Sequence, residues 1–289
     1  MTASGIIPLH SLQADRAGFE ALSQAYEDAL HVSGSSLQFD FARVNWIDAH
    51  LCAAFLCIVR KIQSKGVGVT FINSSQRVTD ILARNGFFNL NRVSETGTVI
   101  PVREFQKDDG KSFADYFRRN LNRMRLPTMT GALRGKIFEG VDEIFINASM
   151  HSIESTNIFA CGQFFPKLDR INFALTDGGI GMCGNYTKTF SQQIKSIDAI
   201  DWALKENNTT RSGDVPGGLG LKILREFLQL NGGCFKVVSK WGYWKEENGR
   251  LEKVTMGRAI PGTVVSMEIN TADTNRYDLM NAPDARDIW

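Results

Sequence analysis

The stretch Arg170-Ile171-Asn172-Phe173-Ala174-Leu175-Thr176 alternates apolar and polar side chains as a half-buried strand does, and it runs straight into Asp177-Gly178-Gly179-Ile180-Gly181. This junction constrains the fold more than any other part of the chain. A carboxylate stands at a strand end and glycines follow it, so backbone lines whatever lies beyond. Gly179 and Gly181 let a flat ring lie against the main chain, where a Cβ would intrude. Asp177 can accept from an exocyclic amine such as that of adenine. Taken alone, the same residues also read as an ordinary glycine turn.

Gly179, Gly181 and Gly184 also spell GxGxxG. A dinucleotide-binding turn needs a helix directly after the glycines and a second strand ending in an acid about 20 residues on. Here Asn185-Tyr186-Thr187-Lys188 is polar, Asp198 and Asp201 fall in a helical segment, and Asp177 would face a pyrophosphate. The context argues against a dinucleotide site.

Two other segments carry chemistry. Glu143, Asn147 and His151 are spaced i, i+4, i+8, so they share one face of a helix whose Ile144, Phe145 and Ile146 point elsewhere. Asparagine offers a neutral oxygen to a hard cation such as Mg²⁺, and a glutamate one turn earlier can take a proton from a nucleophile or orient water. The bland alternative is two surface residues and a satisfied helix-end histidine. Further on, Val215-Pro216-Gly217-Gly218-Leu219-Gly220-Leu221-Lys222 opens a helix, where free backbone N–H groups attract phosphate oxygens. Thr209, Thr210 and Arg211 upstream can add contacts to a terminal phosphate. No P-loop signature is present.

In this order, with a polar segment of lid length (184–216) between the last two, the three motifs resemble the GHKL (Bergerat-fold, histidine-kinase-like) ATPases, the superfamily of DNA gyrase and the histidine-kinase catalytic domain. The resemblance spans about residues 125–270. Glu143 and Asn147 match the N box, Asp177, Gly179 and Gly181 the DxGxG box, Gly218 and Gly220 the second glycine box, and Thr263 the adenine-side threonine. It implies an α/β sandwich with a mixed sheet covered on one face by helices, binding ATP and Mg²⁺. Asn147 would hold the metal, Asp177 would bind the adenine amine, and His151, Arg211 and Leu219 would join the nucleotide site. Glu143 would be catalytic. Sensor histidine kinases commonly lack that glutamate, whereas the hydrolysing members and the anti-sigma-factor serine kinases carry it. The expected activity is therefore slow ATP hydrolysis or protein Ser/Thr phosphorylation, the alternative being a non-catalytic ATP-dependent switch acting on a protein partner.

The first half reads as alternating strand and helix. Leu37 to Phe41 alternates as a strand, and Asn45-Trp46-Ile47-Asp48 is a turn in which Asp48 can cap the next helix. Ala49 to Lys65 follows, with Leu51, Phe55, Ile58 and Ile62 on one face and Gly66 to end it. Val67 to Ile72 is a second strand, and a helix through Val78, Ile81 and Leu82 stops at Asn85-Gly86. This pattern is a βαβ unit. It resembles a STAS domain, the fold of anti-sigma-factor antagonists, and so implies a module for docking or homodimerisation. The serine that such antagonists carry soon after the aspartate is missing, since Asp48 is followed by Ala49-His50-Leu51-Cys52.

The expected organisation is a STAS-like α/β domain over 1–103, a linker helix over 104–126, a GHKL ATP-binding domain over 127–270 and a loosely held tail over 271–289. Ser112 to Met124 has a basic face, Arg118-Arg119 and Arg123, which reads as solvated. Pro127 to Ile153 follows a long helical pattern, although Gly131, Gly135 and Gly140 weaken its early turns. Cys234 to Val238 and Thr263 to Ile269 are expected strands flanking a Lys/Glu/Gly-rich excursion.

Composition sets the outer limits. The net charge is +2, so no bulk field draws the chain to nucleic acid or acidic lipid. The five cysteines form no CxxC pair, which argues against a disulfide framework or zinc site. With no signal-peptide pattern and no apolar run near the roughly 20 residues of a membrane span, a cytoplasmic protein is expected.

Overall fold

The strand expected around Phe39 forms as β2 (Ser36–Asp40) between two parallel neighbours, β1 (Ser4–Pro8) and β3 (Gly68–Ile72). The computed structural model describes residues 4–10, 12–90, 97–151, 157–205, 208 and 219–278. The chain is mixed α/β.

Parallel strands need crossovers, and two helices supply them. α1 (Arg16–Leu30) starts where the Asp15 carboxylate accepts the Gly18 N–H at 2.9 Å. α2 (Cys52–Gln63) follows one 3-10 turn at Ala49–Leu51. α3 (Gln76–Arg84) is capped by Ser75 and buries Val78 and Leu82. Phe55 of α2 stacks on Phe87 at 5.2 Å and meets Phe39 edge-on at 5.3 Å, which fixes α2 against the sheet. Asp48 precedes the 3-10 turn but makes no helix cap. Its two oxygens instead accept from the Ala14 N–H at 2.7 Å and the Trp46 Nε1–H at 2.9 Å, tying the 3-10 turn to the entry of α1.

The second sheet contains β4 (Val99–Phe105), β5 (Ile158–Phe165), β6 (Arg170–Asp177), β7 (Cys234–Glu247) and β8 (Arg250–Asn270), in the order β4-β5-β6-β8-β7. Every pairing in it is antiparallel, where the resemblance implied a mixed sheet. Local turns explain part of this. β5 returns as β6 across residues 166–169, and β7 returns as β8 at Asn248-Gly249, both with positive φ (51° and 69°), the two-residue turn whose twist suits a hairpin. The Lys/Glu/Gly-rich excursion is thus the far end of one continuous hairpin.

One face of this sheet is covered by α4 (Gly110–Asn122), α5 (Gly131–His151) and α8 (Leu219–Leu230). Phe113, Phe117, Ile144, Phe145, Leu224 and Phe227 pack there on Ile171, Phe173, Val265 and Met267. The opposite face carries Phe159, Cys161, Val238 and Val264, and these join the core of Leu37, Phe39, Phe55 and Ile58. α1 packs on β8, and α2 on β5 and β6. Helices α1 and α2 therefore lie between the two sheets and belong to both. This explains why β6 is buried on both faces although its sequence alternates.

The expected division changes accordingly. Residue 103 falls inside β4, and β4 pairs with β5, so it belongs to the second sheet. Residues 104–126 are not a linker. α4 buries Phe113, Tyr116, Phe117 and Leu121 in the core, and of its basic residues Arg118 bonds Asp142 at 2.6 Å. The tail is held as far as it is described. Tyr277 is buried, its backbone exchanges hydrogen bonds with Thr128 and Thr130, and its hydroxyl donates to the Leu230 carbonyl.

Candidate functional site

α5 owes its orientation to its apolar stripe. Leu133, Ile137, Val141, Ile144, Phe145 and Ala148 are buried, and Phe145 stacks on Phe113 with centroids 4.4 Å apart. Glu143 and Asn147 flank that stripe and are half-buried, one turn apart. His151 is the last residue of the helix, and its side chain lies outside the described residues.

α8 crosses α5 through a pair of glycines. A Cβ on Gly140 would sit 2.4 Å from the Gly220 carbonyl oxygen, and one on Gly220 would sit 2.8 Å from the Gly140 nitrogen. Only two residues without side chains permit this approach. The crossing delivers the first turn of α8 to Glu143. One carboxylate oxygen accepts the Gly220 N–H at 3.3 Å and the other the Leu221 N–H at 3.2 Å. Glu143 thus satisfies two of the N–H groups that a helix start leaves free, at the positive end of the helix dipole. Leu219 opens α8 and is partly exposed. Gly218, Arg211, Thr209 and Thr210 lie outside the described residues.

β6 ends on Asp177, opposite Ile158 of β5 and Thr263 of β8. The carboxylate is buried, and Oδ1 accepts the Gly179 N–H at 2.7 Å. Burial pushes the carboxyl up to about 6, against the downward pull of the Gly179 N–H, Lys240, Lys61 and the Thr263 N–H. Gly181 takes φ +74° and opens α6 (Gly181–Phe190), which is followed by α7 (Ser196–Ala203). The buried Thr263 hydroxyl shares a 3.0 Å hydrogen bond with Ser239 Oγ, which accepts the Met182 N–H at 2.9 Å. The turn after Asp177, the start of α6 and the adjoining strands form one bonded unit, and β6 packs beneath α5.

Among the expected residues, then, Glu143 meets Gly220, and Asp177 meets Gly179 and Thr263. Three further residues escaped sequence reasoning. Ser239 and Lys240 follow the expected strand Cys234–Val238, at a bulge where Lys240 has φ +51°. Lys240 Nζ donates to the Gly179 carbonyl at 3.3 Å, and Lys61 Nζ donates to the Gly178 carbonyl at 2.6 Å. No local pattern signals Lys61, because α2 reaches this loop only through tertiary packing.

A helix does begin at Gly181, directly after the glycines, contrary to the expectation of a polar loop. The exclusion of a dinucleotide site rests on the sheet instead, since β6 has antiparallel neighbours on both sides and no βαβ unit surrounds the turn. Among the described residues no group of three or more His, Cys, Asp or Glu side chains stands ready to hold a metal. A divalent ion here would rely on Asn147 and on oxygens brought by its ligand. No described helix is long and apolar enough to cross a membrane. The chain matches no protein-family model and no curated protein.

Proposed function

We propose that this chain binds Mg-ATP as a GHKL-type protein, acting as a slow ATPase or as a protein Ser/Thr kinase of the anti-sigma-factor type, with the N-terminal unit as a STAS-like docking or dimerisation module. The observation that carries the reading is the meeting of Glu143 with the first turn of α8, 77 residues away in the chain. Two motifs chosen from sequence for complementary chemistry adjoin each other, and the third, Asp177, ends the strand that packs beneath α5.

The residues fit the group. Asp177 offers a buried acceptor for an exocyclic amine, and the N–H groups of Gly220 and Leu221 point where an anion is favoured. Asn147 supplies a neutral oxygen suited to Mg²⁺. Bound Mg-ATP supplies the transferable phosphoryl group and part of its charge neutralisation. When an anion takes the α8 N–H groups, Glu143 must release them. Its freed carboxylate is then one turn from Asn147 and able to accept a proton from water or a hydroxyl. A second reading is favoured by the same contact: if Glu143 stays on α8, it is a helix cap and the protein is an ATP-dependent switch.

A built-in acceptor at the STAS position has no support. Ala49, His50 and Leu51 are buried against β5, with the Cys161 thiol facing the Ala49 and His50 carbonyls. Among the described residues β1 and β3 each pair on one side only, and such edges suit docking to a protein partner or a second copy. Incubation with labelled ATP, with and without a cell extract, tests the activity when free phosphate and labelled protein are scored separately. The kinase or ATPase reading predicts one of the two products, absent in Glu143→Gln. Nucleotide binding with neither product leaves the switch.

A further inference from the structure

Two lysines far apart in the chain converge on the turn after Asp177. Lys61 comes from α2 of the N-terminal unit, 117 residues before the carbonyl it bonds. Lys240 comes from the bulge in β7. They hold two successive carbonyls, Gly178 and Gly179, while the Gly179 N–H is turned inward onto Asp177. The loop is therefore held at two successive carbonyls and one N–H.

A neutral donor would suffice to hold one carbonyl. Two ammonium groups are present instead, and neither forms an ion pair among the described residues. Its own burial, and after that repulsion by Lys61, depress the Lys240 ammonium. What the arrangement gains is positive charge around a buried carboxylate. The groups facing Asp177 are Lys61 and Cys57 from α2, Lys240 from β7 and the Thr263 N–H from β8, with Cys183 of α6 beside Lys240. The two lysines are its cationic neighbours, and one of them belongs to the other unit of the fold.

We propose that Lys61 is a positioning residue of the nucleotide pocket, by which the seating of α2 on the sheet fixes the Asp177–Gly181 turn and places charge beside Asp177, so that the N-terminal unit sets the affinity for an adenine nucleotide. This rests on reading the pocket as an ATP site. A partner that draws α2 away from the sheet would then lower nucleotide affinity, and nucleotide would oppose that partner by the same factor.

The test uses the full chain with Lys61→Met, Lys61→Gln and Lys61→Arg, and Asp177→Asn as a pocket control. Mg-ATP binding is measured by calorimetry between pH 5.5 and 8, alongside thermal unfolding. Lys61→Met should bind about tenfold more weakly, the scale of one lost charge-assisted hydrogen bond. Its affinity should also begin to fall at a higher pH on acidification than in the wild type, because Asp177 loses a cation. Lys61→Gln, which keeps a donor without the charge and is the milder change for folding, should show the same pH displacement. Lys61→Arg should restore the wild-type profile. Unchanged affinity and pH profile in Lys61→Met and Lys61→Gln, with ATP still bound in a manner that Asp177→Asn weakens, overturns the role of Lys61 and leaves the ATP reading standing. Failure of the wild type itself to bind ATP overturns both.

Discussion

Glu143 accepts the backbone N–H of Gly220 at 3.3 Å and so closes the N-terminus of α8 from a neighbouring helix. The same carboxylate is the residue expected to serve as base. These two roles make separable predictions.

Glu143→Ala should destabilise the chain by about 1–2 kcal/mol, since the Gly220 and Leu221 N–H groups lose their acceptor at a helix start. Glu143→Gln keeps one acceptor oxygen for the two N–H groups and should fall between Glu143→Ala and wild type in stability, yet abolish turnover if the residue is a base. Chemical denaturation and phosphate release measured on the same preparations separate the two effects. Equal stability of both variants would remove the capping role.

Gly220→Ala should be more damaging than its one methyl suggests. The new Cβ would lie 2.8 Å from the Gly140 nitrogen and 3.0 Å from its Cα, and backbone cannot step aside as a side-chain tip does. An overpacking cost of about 1–3 kcal/mol is expected, read as a fall of several degrees in thermal midpoint. A midpoint within one degree of wild type would show that α5 and α8 are not locked at this crossing.

Ionised Asp177 is a stability liability, because the carboxylate is buried. Its carboxyl is raised to about 6, so its contribution to stability is fully present below the unfolded value near 3.8 and is lost as pH rises through about 6. At pH 7 and above the loss is on the order of 3 kcal/mol. Asp177→Asn should therefore be more stable than wild type at pH 7.5, and the gap should shrink toward pH 4. Buried His50 runs the other way: burial lowers it to about 4, so its stability contribution is lost as pH falls from 6.5 toward 4. Because the two slopes oppose in the wild type, the difference between variant and wild type is the quantity to plot from denaturation at each pH. A gap independent of pH would refute the raised carboxyl.

The two units should fold together. Phe55 is fully buried among residues contributed by both sheets, and Phe55→Ala should cost about 3–5 kcal/mol in a single unfolding transition. A fragment beginning at residue 97 would expose Phe159, Cys161, Val238 and Val264 and should aggregate. A soluble, cooperatively folding fragment would show that the second sheet does not need α1 and α2.

Much of this architecture was legible locally. The Val78, Ile81 and Leu82 spacing, the Phe55 stripe and the run into Asp177 are short-range signals, and each marks an element that forms where expected. Sharing was not legible. β4 reads like the end of the first unit and pairs in the second sheet, and the basic α4 reads like a linker and buries four aromatic or leucine side chains, Phe113, Tyr116, Phe117 and Leu121. Periodicity reports which face of an element is apolar and not which sheet it faces. The site divides similarly. Glu143, Asp177 and the glycines announce themselves by type and spacing, whereas Lys61 and Ser239 become relevant only through contacts that span 117 and 57 positions.

Calorimetric titration of the full chain with Mg-ATP at pH 7.5, wild type against Asp177→Asn, bears most directly on the pocket. The proposal predicts saturable binding at one site per chain in the wild type and at least about tenfold weaker binding in the variant, the loss of a hydrogen bond to a charged acceptor. No saturable heat in the wild type, or equal binding by both proteins, would contradict it.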